Sequence, residues 1–142
     1  MMIAKEIVGI LCDDVREEVG NKFSIMGIYD DDVVFSSLPS MLPKLCLVVQ
    51  IKEMKINITT YKIKVFSPEN DSPKEFNIPA PPIDDDHKNT RLIIALSPFR
   101  ASKCGDARIE VFNDDEKKPF YIHKFGLKTS VPLDRNSGSD KA

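Results

Sequence analysis

Residues 11–35, LCDDVREEVGNKFSIMGIYDDDVVF, contain two extended segments on either side of a polar turn at residues 20–22. Before the turn, residues 5–15 are rich in β-branched side chains and lack helical spacing, which predicts a central strand. After the turn, residues 23–29 alternate in character, which predicts a second strand. The stretch therefore predicts a β-hairpin whose second arm is bulged or broken at the aspartates 30–32.

The remaining sequence repeats this pattern of short strands. Leu45, Leu47, Val49 and Ile51 alternate with their neighbours, and a similar strand follows at residues 61–65, so we predict that these two strands pair as a hairpin with one solvated face. Further strands are predicted at residues 91–96, 107–112 and 119–127, after a long connection rich in proline and aspartate at residues 67–89.

This organisation predicts an all-β fold. About seven or eight short strands, with no amphipathic helix, favour a single antiparallel β-sandwich with Greek-key connections, either C2-like or immunoglobulin-like. We expect residues 1–132 to form this domain and residues 133–142, which end in RNSGSDKA, to be a disordered tail.

Composition and charge narrow the classes of function. The 142 residues include 20 basic and 22 acidic side chains, a formal net charge of −2, which lacks the basic excess of a general nucleic-acid-binding protein. No apolar run approaches the roughly 18 residues of a membrane span, and the first residues do not resemble a secretory signal. We therefore predict a cytoplasmic protein without a membrane span.

Candidate catalytic side chains are few. The three cysteines, Cys12, Cys46 and Cys104, are far apart in sequence, which favours free thiols over a disulfide framework. Cys12 adjoins two aspartates, which oppose thiolate formation, so Cys104 is the better candidate for a reactive thiol. His123 shares a strand face with Tyr121, but no nucleophile motif accompanies it, so we predict a non-enzymatic protein.

Aspartate clusters provide the ligands of a candidate cation site. Two of the four acidic clusters, near the ends of predicted strands, provide the candidate ligands Asp30, Asp31, Asp32, Asp84, Asp85 and Asp86. Calcium prefers six to eight hard oxygen ligands, so convergence of these loops would create a calcium site like that of membrane-docking sandwich domains. The simpler interpretation is that aspartate favours turns and keeps sheet edges apart, in which case the protein has no cofactor.

A cluster of lysines has the opposite charge. Lys52, Lys55, Lys62 and Lys64 are predicted to lie on the outer side of one hairpin, where they would attract an acidic protein partner or an anionic surface. The alternative is an ordinary solvated sheet face. A free sheet edge is a third route to binding, because a partner segment can add to it as a strand.

Three motifs carry a resemblance to a known kind of protein. CDDVREE at residues 12–18, KFSIMGIY at residues 22–29 and LPKL at residues 42–45 resemble an uncharacterised family of small bacterial and phage-associated domains of unknown function. The resemblance implies a small β-sandwich and an origin in bacteria or a mobile element, and it implies no activity.

The sequence thus predicts an interaction module. A protein-binding domain requires no chemistry that the residues fail to supply, whereas a calcium-binding C2-like sandwich with aspartate-rich loops is the alternative.

Overall fold

The computed structural model describes residues 3–20, 22–70, 72–83 and 85–130, in which the secondary structure consists of strands. Their alternating apolar residues and many proline-containing connections account for this content. The strands are β1 (Ala4–Glu18), β2 (Lys22–Ile28), β3 (Asp32–Phe35), β4 (Ser40–Leu42), β5 (Leu45–Met54), β6 (Thr60–Phe66), β7 (Lys74–Pro79), β8 (Thr90–Leu96), β9 (Phe99–Ala101), β10 (Gly105–Asn113) and β11 (Tyr121–Thr129).

Most of these strands belong to two sheets. Sheet one has the order β2-β1-β5-β8, and sheet two has the order β3-β11-β10-β6-β7. The short strands β4 and β9 pair with each other as a separate two-stranded sheet. All pairings are antiparallel except that between β3 and β11, which is parallel. The all-β prediction is confirmed, whereas a purely antiparallel arrangement was wrong.

One hydrophobic core joins the two sheets. The predicted inward face of β5 is confirmed, because Leu45, Leu47, Val49 and Ile51 are completely buried. They belong to the same cluster as Ile63 of β6 and Ile109 of β10, both of sheet two. Burial of each such side chain contributes about 1.5–3 kcal/mol, so the alternating apolar residues provide the main force that holds the sheets together.

Two predicted strand pairings were wrong. Strands β5 and β6 do not form a hairpin, since β5 pairs with β1 and β8, while β6 pairs with β10 and β7. Strand β3 is not the second arm of the first hairpin, because it pairs with β11 in the other sheet. In each case, alternation identifies a strand and its buried face but cannot identify its neighbour.

The hairpin of β1 and β2 folds back over the outer face of sheet one. Phe23 is opposite Glu17, and Arg91 is opposite Gln50, whose other neighbour is Val8. Glu17 lies nine residues after Val8, so a flat sheet would separate Phe23 from Arg91 by roughly 30 Å. In the structure the Arg91 guanidinium carbon is 3.4 Å from the centre of the Phe23 ring. The segment from Asp13 to Ile28, here called the arm, must therefore curl across the sheet.

The arm creates a second, smaller core. Cys12, Cys46 and Val48 are buried on the face of sheet one opposite the main core, and Phe23 and Ile25 of the arm pack against them. The prediction that this face of β5 is solvated was therefore wrong. The face is dry because the chain covers it with its own hairpin.

The described residues contain eleven strands, more than the seven or eight predicted. Strands β4 and β9 have three residues each, too few for alternation to be visible in a sequence. The boundary at residue 132 and the tail at 133–142 lie outside the described residues. No helix long and apolar enough to cross a membrane occurs in the part of the chain that the structure describes.

Candidate functional site

A large groove lies on the side of the molecule where both sheets end. Strand β8 is the last strand of sheet one and β7 is the last strand of sheet two, and residues from both line the groove. Its volume is about 1140 Å³. The lining includes Phe76 of β7, Ala95 and Leu96 of β8, and side chains of the short β4–β9 pair. The groove therefore brings the end of β8 and the start of β7 together with an apolar wall.

The β4–β9 pair forms one end of this groove. Met41 is opposite Arg100, and Leu42 is opposite Phe99. Phe99 is buried and its ring centre lies 6.3 Å from that of Phe125, so β9 is anchored to sheet two. Met41 instead remains 47% exposed, although it lines the groove. An exposed thioether on β4, which pairs with the anchored strand β9, is an adaptable apolar contact for a ligand.

The charged side chains of the groove are unequally paired. Glu69 accepts hydrogen bonds from the backbone N–H and the hydroxyl of Ser102, at 3.0 and 2.9 Å, and these bonds hold the pKa of its carboxyl below the usual range despite the opposing effect of burial. Glu75 lies 4.0 Å from Lys64. Lys74 and Arg100 are exposed and have no ion-pair partner among the described residues. The charged groove residues that lack an ion-pair partner in the described part of the chain are thus positive.

The structure separates the predicted lysine cluster. Lys62 and Lys64 lie on the outer face of sheet two, with their ammonium groups 4.9 and 5.1 Å from the centre of the Phe112 ring. Lys52 belongs to β5 of sheet one, and Lys55 follows that strand. The four lysines do not share one hairpin face, because β5 and β6 belong to different sheets. Their role in partner binding remains a prediction.

The predicted calcium ligands also lie in different places. Asp32 forms an ion pair of 3.0 Å with Lys128, and the Asp31 carbonyl accepts a hydrogen bond from the Gly126 N–H. These contacts place residues 30–32, with Asp30, beside the β3 edge of sheet two.

The second aspartate cluster lies beyond the end of β5. Asp85 lines a pocket of about 340 Å³ together with Lys55 and Lys88, while Asp86 is the next residue and Asp84 lies outside the described residues. Within the described ranges, no group of three or more histidine, cysteine, aspartate or glutamate side chains could hold a metal ion. The calcium site remains a prediction.

The Tyr121–His123 pair lies at the contact between the two sheets. The Tyr121 hydroxyl and His123 Nδ1 are 2.8 Å apart, and Tyr121 packs directly against Gly9 of β1. A Cβ atom at Gly9 would lie 2.0 Å from the Tyr121 oxygen, so only glycine permits this close approach. Burial lowers the pKa of His123. The pair is therefore well placed to support the packing of the sheets.

The two buried cysteines are cross-strand neighbours. Cys12 of β1 is directly opposite Cys46 of β5, and both are free thiols. Burial is the main reason that the pKa of Cys12 rises to about 11, and the charges of Cys46 and Asp13 raise it further, whereas a hydrogen bond with the Asp14 backbone lowers it. Burial also raises the pKa of Cys46. Cys104 is exposed. The buried pair is thus chemically quiet under ordinary conditions.

Sequence patterns did not reveal the groove. Residues 91–96 are visibly an apolar strand, but their position at the end of a sheet depends on tertiary pairing. The sequence features that could have pointed to the groove are the prolines at 39, 43 and 98, which flank β4 and β9 and interrupt the strand pattern there.

A family model matches residues 7–122, and its family is described as a family of unknown function, DUF6941. The match covers most of the chain, which therefore belongs to this family. It confirms the predicted relationship to an uncharacterised domain family, whereas the quoted motifs and the bacterial or phage origin remain predictions. It includes every segment that lines the groove. No curated protein and no solved structure was found to match the chain.

Proposed function

We propose that this member of DUF6941 is a non-enzymatic, protein-binding module that holds a segment of its partner in the groove between β7 and β8. The observation that carries the proposal is the position of the groove, between the terminal strands of two sheets. A terminal strand presents unpaired backbone N–H and C=O groups on its outer side, and these provide affinity for an extended peptide.

The composition of the groove supports a peptide as its ligand. Phe76, Met41 and Leu96 provide an apolar wall, and the open edges of the terminal strands β7 and β8 would provide hydrogen bonds. Protein-binding clefts combine these two features, because apolar contacts contribute affinity while backbone pairing fixes direction and register. The lysine face of sheet two, with Lys62 and Lys64, would add a longer-range attraction for an acidic partner.

The sheet order supports the immunoglobulin-like form of the predicted sandwich. The order β11-β10-β6-β7 corresponds to the strand order G-F-C-C′ of a variable domain, and the neighbours β5 and β8 correspond to B and E. In immunoglobulin domains a further strand, D, lies beside E. Among the described residues no strand lies beside β8 on that side. A partner segment would occupy the position of this strand.

The test is a selection from a displayed library of random 12-residue peptides, followed by affinity measurements with the full chain. We expect enriched peptides to bind the original protein and an Ile122→Arg variant equally, and a Met41→Arg variant at least about tenfold more weakly. Both residues are exposed apolar side chains, at 42% and 47%, but only Met41 lines the groove. Failure to enrich peptides, or equal binding to both variants, would contradict the proposal.

The calcium-binding alternative has a separate test. If the aspartate loops hold calcium, millimolar calcium chloride should raise the melting temperature, because a ligand that binds only the folded state stabilises it. Magnesium chloride at the same ionic strength is the control for screening of the acidic clusters. A melting temperature that responds equally to both salts would eliminate a specific calcium site.

A further inference from the structure

The terminal strands of the two sheets differ in how well they are protected against pairing. Strand β7, KEFNIP, carries Lys74, Glu75 and Pro79, and charges and proline are the usual protection of an edge. Strand β8, TRLIIAL, has seven residues, no proline and only one charged residue, Arg91. The Arg91 guanidinium is engaged with the Phe23 ring, 3.4 Å away on the outer face of sheet one. The edge of β8 therefore lacks the protection that β7 has.

An unprotected apolar edge is a risk for association unless something pairs with it. The other terminal strands fit this rule, since β3 has only four residues and β2 begins with Lys22 and is part of the folded arm. Strand β8 has the apolar composition of a central strand, but it is the terminal strand of sheet one. This mismatch indicates that β8 is adapted to a neighbour on its open side.

The charge of the groove specifies the neighbour further. Arg100 follows β8 by four residues, lines the groove and has no ion-pair partner among residues 3–20, 22–70, 72–83 and 85–130. Among the described residues, the acidic side chains that line the groove already have partners, Glu69 in Ser102 and Glu75 in Lys64, which lies 4.0 Å away. An incoming carboxylate would therefore find an unopposed guanidinium, with which it can form a bidentate pair.

We infer that the open edge of β8 receives an extended segment of a partner protein as an added strand, and that this segment carries an acidic side chain that pairs with Arg100. The inference rests on the proposed function and makes it specific. The segment is apolar on the side that faces Met41 and Phe76, and it contains no proline within the paired part, since each alternate N–H must reach the β8 backbone.

The first experiment is amide hydrogen exchange of the full chain, followed by mass spectrometry, with and without a library-selected peptide. We expect exchange to slow in residues 90–96 and to remain unchanged in residues 74–79. Slower exchange confined to residues 74–79 would overturn the inference while leaving the proposed function intact. Protection of residues 90–96 that rises with protein concentration in the absence of peptide would also overturn it, since a second copy would then occupy the edge.

The second experiment reverses the charge at Arg100. Library selection should enrich aspartate and glutamate with the original protein and lose that enrichment with Arg100→Glu, while Lys124→Glu, at an exposed lysine outside the groove, should behave as the original. Selected acidic peptides should bind Arg100→Glu about tenfold more weakly or worse. An unchanged enrichment of aspartate and glutamate with Arg100→Glu would overturn the inferred pairing of an acidic side chain with Arg100. If no peptide binds in a Met41-dependent manner, the proposed function itself fails.

Discussion

The outer face of sheet one and the groove differ in how their apolar surface is covered. On the outer face of sheet one, the arm folds over Cys12, Cys46 and Val48 and buries them almost completely. In the groove, the apolar wall, which includes Met41 and Phe76, has no such cover from the described residues. The chain can thus cover apolar surface with a hairpin of its own, and it does so at only one of these two regions.

This difference assigns separate roles to the two regions. The covered face adds a second core and so contributes to stability, because burial of apolar area is the main favourable contribution to folding. In the groove, Phe76 and Leu96 pack against the main core, whereas Met41 is 47% exposed and remains available to a ligand. Substitutions beneath the arm should therefore lower stability, and substitution of Met41 should leave it nearly unchanged.

The largest expected loss of stability is at the base of the arm. Gly27 has a φ of +68°, and a Cβ atom there would lie 2.2 Å from Asp13 Oδ2, whose carboxylate also accepts the hydrogen bond of the Tyr29 hydroxyl. Gly27→Ala should reduce the free energy of unfolding by about 2–4 kcal/mol, measured by urea denaturation. Gly20→Ala is the control, since its φ is +89° but nothing lies within 4 Å. Equal losses would contradict the role assigned to Asp13.

A smaller loss is expected beneath the arm. Val48 is completely buried in the second core, so Val48→Ala should cost about 2 kcal/mol through lost burial and the cavity that remains. The same variant should speed alkylation of its buried neighbour Cys46 by iodoacetamide, while exposed Cys104 reacts quickly in both proteins. An unchanged unfolding free energy would show that the arm does not seal this face.

The cover itself depends on a cation–aromatic contact. Arg91→Ala removes the guanidinium from the Phe23 ring and should cost about 1 kcal/mol. Arg16→Ala is the matched control, because Arg16 is an exposed arginine of the same arm for which no stacking contact is found. The two variants are compared by their midpoints of urea denaturation. A greater loss of stability in Arg16→Ala than in Arg91→Ala would contradict the role assigned to the Arg91–Phe23 contact.

The stability should also depend on pH through His123. Burial lowers the pKa of His123 in the folded protein below its ordinary value of 6.5, so the unfolded chain binds more protons in that range. This contribution is fully present above pH 6.5 and is lost as the pH falls through the folded-state pKa. His123→Gln should weaken the decrease in urea midpoint between pH 7.5 and pH 5. An identical decrease in both proteins would exclude His123 as its source.

The smallest expected change is in the groove. Met41→Ala should alter the free energy of unfolding by no more than about 0.5 kcal/mol, because the side chain is 47% exposed and belongs to neither core. Comparison with Val48→Ala gives the direct contrast between the groove and the covered face of sheet one. A loss at Met41 as large as that at Val48 would mean that the groove wall is structural.

The strands and their buried faces could be predicted from the sequence, but their partners could not. The alternation of Leu45, Leu47, Val49 and Ile51 identified a buried face correctly, because period two is a local property. The same alternation placed Cys46 and Val48 in water, since nothing local shows that a distant hairpin returns to cover them. The pairing of β5 with β6 failed for the same reason.

The candidate site was still harder to predict, because the groove lies beside the strands β7 and β8, which are terminal only as a result of the strand pairing. Lys62 and Lys64 were correctly expected to point away from the core, yet Lys52 and Lys55 proved to belong to another part of the molecule. The sequence did not identify Arg100 and Met41 as candidate binding residues. Their position beside the groove becomes clear only when β8 and β7 are known to be terminal strands.

The most direct test of the binding claim is a map of the contact site by nuclear magnetic resonance. Backbone amide signals of the full chain would be followed while a library-selected peptide is added. The account predicts that the largest shift changes fall in residues 39–42, 90–102 and 74–76, with the arm unaffected. Shift changes confined to the arm or to the outer face of sheet two would contradict it.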